Sequence, residues 1–164
     1  MLKNYRIEIK WAFIFIGMML LWMVLERLSG LHSTHIDKHP IFTNFIAIPA
    51  IAIYVFALRD KRKNFYGGNM TYMQGFISGL IITLIVSLLS PLTQVITSLL
   101  ITPEFFENAI NYAVSNGKMD QSAAEKYFNL NSYILQGLIG APIMGIVTTA
   151  IVAIFTKRNN NTGS

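Results

Sequence analysis

Three histidines lie close together in the first quarter of the chain, in the stretch GLHSTHIDKHP. His32, His35 and His39 fall within eight positions, and Asp37 lies among them. Imidazole nitrogen and carboxylate oxygen are ligands that Zn²⁺ binds readily, so this set is a candidate metal site. On a helix, spacings of three and four residues would place the histidines on one face. Glu26, at the end of the preceding apolar run, is a further candidate ligand or supporting group.

The residues around the histidines favour a simpler interpretation, a polar turn. Gly30 precedes the stretch and Pro40 follows it, and the Ser, Thr and Asp residues between them are common in turns. Arg27 and Lys38 are close to Glu26 in sequence and compete for its carboxylate. No HExxH motif or other recognised metalloenzyme pattern is present. Three interpretations stay open: a polar turn, a pH-responsive contact, and a metal site formed by His32, His35 and His39.

The composition limits the class of protein. The chain has 164 residues, which is one domain's worth. Only 13% of the residues are charged and 53% are hydrophobic, whereas an ordinary soluble domain carries about 25% charged residues. There is no cysteine, which excludes disulfides, thiolate metal sites and a cysteine nucleophile. This composition indicates a protein whose main solvent is lipid.

The apolar residues fall in four runs, each close to the roughly 20 residues that a membrane-spanning helix needs. No small-residue cleavage site follows the first run, so we expect a retained helix and not a signal peptide. The predicted fold is an all-α integral membrane four-helix bundle, formed by a single domain over residues 1–158. Residues 159–164 are expected to be a disordered tail. The four helices are predicted at about 11–28, 41–58, 75–101 and 132–156.

The distribution of basic residues predicts the orientation in the membrane. Nine Lys and Arg residues lie at the amino terminus, in the loop after the second run and in the carboxyl tail, against four in the other loops. By the positive-inside rule, both termini should be cytoplasmic and the histidine stretch should face outward. The net charge of +5 therefore indicates topology and not nucleic-acid binding. Lipid headgroups should contact the basic loop, at roughly 1 kcal/mol per residue, through Arg59, Lys61, Arg62 and Lys63.

The outward segment 102–131 shows its own helical signals. Thr102 is a candidate N-cap before a proline and an acidic residue, and Gly117 is a reasonable stop. Phe105, Ala109, Tyr112 and Ala113 share one side of the first predicted helix. Asp120 or Ser122 would cap a second short helix. We expect an amphipathic helical hairpin that covers the bundle.

Small and polar residues form stripes at spacings of three and four on the last two runs. In lipid, helices associate through close packing of small residues and through hydrogen bonds, so we expect the third and fourth predicted helices to pack on these stripes. The alternative is a hydrophilic path, but no ionisable residue lies inside any predicted span, and such paths usually need one. The stripes consist of Gly75, Gly79, Thr83, Ser87, Ser90 and Gln94 on one helix and Gly137, Ala141 and Gly145 on the other.

Several stretches together carry a family resemblance: WMVLERLSGLH, FIAIPAIAIYVFALRDKR, GGNMTYMQGFISG and ITPEFFE. The chain resembles a bacterial four-helix inner-membrane family, the domain of unknown function 4199, from about Lys10 to Arg158. The resemblance implies a Gram-negative inner-membrane protein with four helices. It implies no activity and no catalytic residues.

The functional hypotheses come from different classes. The first is a small structural or accessory subunit, not an enzyme, that packs through its small-residue faces against itself or a larger membrane protein. The second is a minimal oligomeric transporter or channel that uses the polar stripe. The third is a metal-sensing or pH-sensing membrane protein that uses the outward histidine turn. We expect membrane lipids as partners, no nucleic acid and no resident cofactor.

Overall fold

The computed structural model describes residues 2–158, and these residues form helices joined by short turns. The predicted tail at 159–164 lies outside the described residues. A 3₁₀ turn at Thr43–Ile46 joins the second helix to the third, and a π-helical turn at Thr97–Ile101 continues the fourth. The helices are α1 Arg6–Leu28, α2 His39–Phe42, α3 Ala47–Asn64, α4 Tyr72–Ile96, α5 Phe105–Ser115, α6 Gln121–Tyr127 and α7 Leu130–Thr156.

Within residues 2–158, four helical segments are long and apolar enough to cross a membrane, with mean hydropathy between 1.8 and 2.3. They are Arg6–Leu28, His39–Asn64, Tyr72–Ile101 and Leu130–Thr156. Large apolar side chains such as Phe155 (78% exposed) and Leu100 (72% exposed) point away from the bundle, as expected where lipid is the solvent. The predicted all-α helical bundle is confirmed, and the chain is a multi-pass membrane protein by the length and composition of its helices.

The observed helices extend beyond the predicted apolar runs, chiefly at one end of the bundle. We call this end the terminal end, because the start of α1 and the end of α7 lie there, together with the end of α3 and the start of α4. The opposite end carries the histidine stretch and is called the histidine end. At the terminal end α1 begins at Arg6 and not at Trp11, and α3 continues to Asn64. Charged residues therefore lie inside the helices, and the expectation that no ionisable residue lies within a span is wrong.

The most extensive helix pair is α4 with α7, and small residues allow it. A Cβ atom on Gly79 would lie 2.6 Å from Thr149 Oγ1, and one on Gly145 would lie 2.5 Å from Thr83 Oγ1. Neither position has space for a methyl group, because real Cβ atoms do not approach that closely. The predicted stripes thus face each other within one chain, and Gly75 extends the contact to Ala153.

The same pair of helices is more open towards the histidine end. A Cβ on Gly137 would lie 3.7 Å from Ser90 Oγ, and Gly140 has no atom near the place of a Cβ. A cavity of about 540 Å³ lies here between α1, α3, α4 and α7. At its floor the Tyr54 hydroxyl is 2.7 Å from Thr83 Oγ1, which donates to the Gly79 carbonyl. Much of the polar stripe, including Ser90 and Gln94, borders this cavity.

Side-chain caps define where several helices begin. Thr71 and Gln74 form a reciprocal capping box at the start of α4. Asp120 caps α6 by accepting from the Ala123 amide, as one of the two predicted alternatives. The predicted cap at Thr102 is not observed, because α5 starts only at Phe105 and has no side-chain cap.

The predicted hairpin is present as α5 and α6. Phe105, Ala109 and Ala113 are buried on one side of α5, and Tyr112 is half-buried. This is the side that the sequence pattern predicted. The amphipathic helix places Phe105 over the histidine turn, which is its main contribution to the candidate site.

Candidate metal centre

The histidine turn is a tight hydrogen-bonded segment between α1 and α2. The Leu31 amide donates to the Glu26 carbonyl at 3.0 Å, and the His35 amide donates to the Gly30 carbonyl at 2.8 Å. Gly30 has φ +77°, and a Cβ there would lie 2.6 Å from Thr34 Oγ1. Glycine adopts this left-handed conformation without steric cost. The chain therefore reverses at Gly30, directly after the end of α1, and returns His32 to Glu26.

The turn brings together one carboxylate and two imidazoles. His32 Nε2 lies 3.0 Å from Glu26 Oε2, and His39 Nε2 lies 3.5 Å from the same oxygen. One ligand atom from each of the three residues lies within 4.8 Å of the others. Glu26 (2% exposed) and His32 (4% exposed) are buried, and His39 is half-buried. The prediction of a merely polar turn is incomplete, since these side chains point into the bundle.

Neighbouring groups hold this cluster in place. Trp22 Nε1 donates to Glu26 Oε1 at 2.6 Å, which leaves Oε2 for the imidazoles. The Phe105 ring covers both imidazoles, with centroids 5.0 Å from His32 and 5.1 Å from His39. Asn108 Nδ2 donates to the His32 carbonyl oxygen at 2.9 Å. Residues of α1 and α5 thus orient the carboxylate and enclose the site.

The other charged groups of the region do not join the cluster. His35, predicted as a ligand, is exposed, and its Nδ1 lies 3.2 Å from the Ser29 carbonyl and 3.3 Å from Thr34 Oγ1. Arg27, the predicted competitor for Glu26, instead donates to the Ile101 carbonyl. Lys38 and Asp37 are exposed. The candidate ligand set is therefore Glu26, His32 and His39, and His35 is excluded from it.

Two of the three distances between candidate ligand atoms fit a tetrahedral metal ion, and the third, between the two imidazoles, lies within 4.8 Å. At Zn–N and Zn–O bond lengths near 2.1 Å, two ligand atoms of a tetrahedral site lie roughly 3.3 Å apart. The separations of 3.0 Å and 3.5 Å on the two sides of Glu26 Oε2 lie close to that value. Two imidazoles and one carboxylate would leave a fourth position for water or another ligand.

One feature of His32 departs from the usual pattern of a metal ligand. A ligating histidine normally donates its second ring N–H to a carbonyl or carboxylate, and loss of that bond typically weakens metal binding 10-fold to 100-fold. His32 Nδ1 is buried and has no hydrogen-bond partner among residues 2–158. We therefore expect moderate affinity and not the affinity of a structural zinc site.

The basic segment 59–63, which forms the last turns of α3 and not a loop, is only partly available to lipid headgroups. Arg59 and Lys63 are exposed, and their contact with headgroups stays a prediction. Lys61 is 3% exposed, and Arg62 donates to the Thr156 carbonyl at 2.8 Å. The inclusion of Lys61 among the headgroup-binding residues is wrong, because its side chain turns inward between the helices.

A buried carboxylate at the terminal end is the partner of Lys61. Glu8 Oε1 lies 2.8 Å from Lys61 Nζ and accepts from Ser78 Oγ at 2.7 Å. Glu8 was not predicted as a site residue, because hydropathy places the start of the first helix at Trp11. The available signal was the pattern RIEIK, in which Ile7 and Ile9 flank a lone acidic residue directly before the apolar run.

Comparison with known proteins identifies a family and no activity. The family model described as "Protein of unknown function (DUF4199)" matches residues 10–158. No curated protein and no solved structure matches the chain. Since the family match covers most of the sequence, the chain belongs to this family.

Proposed function

We propose that this member of the DUF4199 family is a metal-binding membrane protein whose histidine end changes its order when a divalent transition-metal ion binds. The observation that carries the proposal is the convergence of Glu26, His32 and His39 on one buried point, with ligand atoms within 4.8 Å. Buried ionisable groups near a membrane are costly and usually mark a functional site. The positive-inside pattern supports a site that faces outward from a bacterial inner membrane.

The site is connected to the two segments that would respond to the metal. His32 and His39 belong to the turn and to α2, whereas Phe105 and Asn108, which touch them, belong to α5. A metal ion that fixes the imidazoles would therefore fix the turn, and through it α5. Because Phe105 covers the imidazoles, this arrangement favours binding of a metal ion over turnover of a substrate.

Hydrogen exchange in detergent micelles tests the proposed response. Addition of Zn²⁺ to metal-free protein should slow amide exchange in residues 29–42 and 105–115, while exchange in α4 at the terminal end stays unchanged. His39→Ala should abolish the effect, and the matched variant His35→Ala should retain it, because His35 lies outside the ligand set. Zn²⁺ that leaves exchange of the turn and α5 unchanged would contradict a metal-responsive function.

The role of an accessory subunit stays a prediction. The small-residue stripes no longer argue for it, because they pack α4 against α7 within one chain. A partner protein would therefore have to bind a surface other than these stripes. Co-purification of a stoichiometric partner from native membranes would test the role directly.

A transport path is the second candidate function, favoured by the cavity of about 540 Å³ beside the polar stripe. The hydroxyls of Ser90 and Thr93 donate to carbonyls of their own helix, so they can accept hydrogen bonds from a ligand but have no free O–H to donate. Solute flux into reconstituted vesicles above that of empty vesicles would support this candidate, and equal flux would remove it.

A further inference from the structure

The buried carboxylate at the terminal end has an unused oxygen. Glu8 is 1% exposed, and its Oε1 already accepts from Lys61 and Ser78. Its Oε2 has no hydrogen-bond partner within the described part of the chain. A buried anionic oxygen without a donor is costly, so the structure indicates a missing donor at this atom.

Lys61 cannot supply that donor without giving up other contacts. Its Nζ lies 2.8 Å from Glu8 Oε1, donates to the Asn4 carbonyl at 2.7 Å, and lies 3.7 Å from the centroid of the Phe65 ring. An ammonium group has three N–H donors: two are directed to Glu8 Oε1 and the Asn4 carbonyl, and the Phe65 ring covers a further side of the group. Unless the contact with the ring is lost, the donor for Oε2 comes from outside the ion pair.

A cavity of about 190 Å³ borders Glu8, and a rotation of the carboxylate would present the buried Oε2 to it. It is large enough for roughly six water molecules at their liquid volume, or for a small headgroup. Tyr5, Tyr66 and Gln74 line it with aromatic and polar surface. Ile77, which is 50% exposed on the outside of α4, also lines it, so the cavity borders the lipid-facing surface of the bundle.

The surrounding aromatic rings suit a cation. Tyrosine rings attract ammonium groups through their faces, and the Tyr66 ring already lies 5.9 Å from the Lys61 ammonium group. The Tyr66 phenol is protonated at neutral pH and can donate to an acceptor such as phosphate; burial, followed by the neighbouring Glu8 carboxylate, raises its pKa further. The site therefore combines an acceptor for N–H groups with a possible donor for the phosphate that accompanies them in a lipid.

We infer that Glu8 Oε2 and this cavity bind the primary ammonium headgroup of an aminophospholipid. Glu8 and Lys61 already neutralise each other, so a bare amine would add an unbalanced positive charge. A phosphoethanolamine headgroup brings its own phosphate and adds no net charge, and its acyl chains would continue over the exposed surface near Ile77. Free amines share the ammonium chemistry, and the experiment separates the two sources.

The test uses a series of lipids with identical acyl chains and zero, one, two or three N-methyl groups. Each methyl removes one N–H donor while the positive charge stays, and the fully methylated headgroup, phosphatidylcholine, has none left. Native mass spectrometry of the protein in mixed micelles measures the lipid retained. Since one charge-assisted hydrogen bond is at stake, we expect phosphatidylethanolamine to be retained about tenfold better than phosphatidylcholine, with the largest drop at the last methyl group.

Variants and competitors complete the design. Glu8→Gln should lose the preference, because the amide has only one acceptor oxygen and Lys61 and Ser78 occupy it. Asp60→Asn is the matched control: Asp60 is a carboxylate near the same end that is already bonded by Lys10 and Trp11, and its variant should keep the preference. Equal retention of all four lipids by the wild-type protein would overturn the inference and leave water in the cavity. Displacement of the lipid by millimolar free ethanolamine would contradict the assignment of the ligand to a lipid, although Glu8 would still be a binding site for an ammonium group.

Discussion

The Glu8 carboxylate lies 2.8 Å from the Lys61 ammonium group, and both side chains are buried between the helices of a membrane bundle. The pair joins the first turns of α1 to the last turns of α3, and Ser78 connects it to α4. Each charge has been removed from its solvent, so the pair stabilises the bundle only while both partners are present.

Removal of one partner should therefore be costly. We expect Lys61→Met to lower the free energy of unfolding in detergent micelles by about 3–5 kcal/mol, because it leaves the Glu8 charge buried alone. Lys10→Met is the control, since Lys10 pairs with Asp60 but is 53% exposed, and exposed pairs contribute only about 0–1 kcal/mol. Equal losses in the free energy of unfolding for the two variants would show that burial of the Glu8–Lys61 pair does not make its disruption more costly.

The contact between α4 and α7 gives a second prediction. We expect Gly79→Leu to destabilise the protein by about 1–3 kcal/mol or more, because the larger side chain would overlap Thr149. Gly140→Leu, on the same pair of helices, should have little effect, since no atom lies within 4 Å of its Cβ position. Thermal unfolding of both variants in the same detergent is the measurement. The prediction fails if Gly140→Leu is the more damaging change.

The hydrogen bond between Tyr54 and Thr83 gives a third prediction. Tyr54→Phe removes a buried hydrogen bond of 2.7 Å. We expect it to lower the free energy of unfolding by about 0.6 kcal/mol, and by at most about 1.7 kcal/mol, as is typical of hydrogen bonds inside membranes. Tyr127→Phe at an exposed position (46% exposed) should cost less. A larger loss from Tyr127→Phe would mean that the hydroxyl at the cavity floor does not contribute to stability.

Trp22 should affect metal binding although it is not a ligand. Its indole N–H fixes Glu26 Oε1 at 2.6 Å, and loss of such an orienting bond typically lowers metal affinity 10-fold to 100-fold. We expect Trp22→Phe to weaken Zn²⁺ binding by about tenfold with unchanged stoichiometry. Trp11→Phe, a change of the same type at the other end of α1, should leave affinity unchanged. Equal affinities for Trp22→Phe and the wild-type protein would contradict a positioning role.

The fold was predictable from the sequence because its signals are local. Runs of apolar residues define the spans, and the spacing of Gly75, Gly79 and Gly145 identifies the face that packs. The predicted bounds failed where a charged residue continues a helix, as at Glu8 and Lys61, because hydropathy alone cannot distinguish a buried ion pair from a loop.

The candidate site was only half predictable for a different reason. The sequence names three histidines, but the left-handed turn at Gly30 decides which of them point inward, and it directs His32 towards Glu26 and His35 towards the backbone of Ser29. The contact of Phe105 with the imidazoles and the hydrogen bond from Asn108 depend on the docking of α5. That helix begins 66 residues after His39 in the sequence. Such long-range contacts leave no pattern in a local window of sequence.

Equilibrium dialysis against Zn²⁺ tests the central claim most directly, using protein purified with a tag that contains no histidine. We predict one bound ion per chain for the wild-type protein and for His35→Ala, and loss of that ion in Glu26→Gln, His32→Ala and His39→Ala. At a free metal concentration one hundred times Kd, binding should also stabilise the wild-type protein by about 2.7 kcal/mol. Failure of the wild-type protein to bind Zn²⁺, or equal binding by the three ligand variants, would contradict the account.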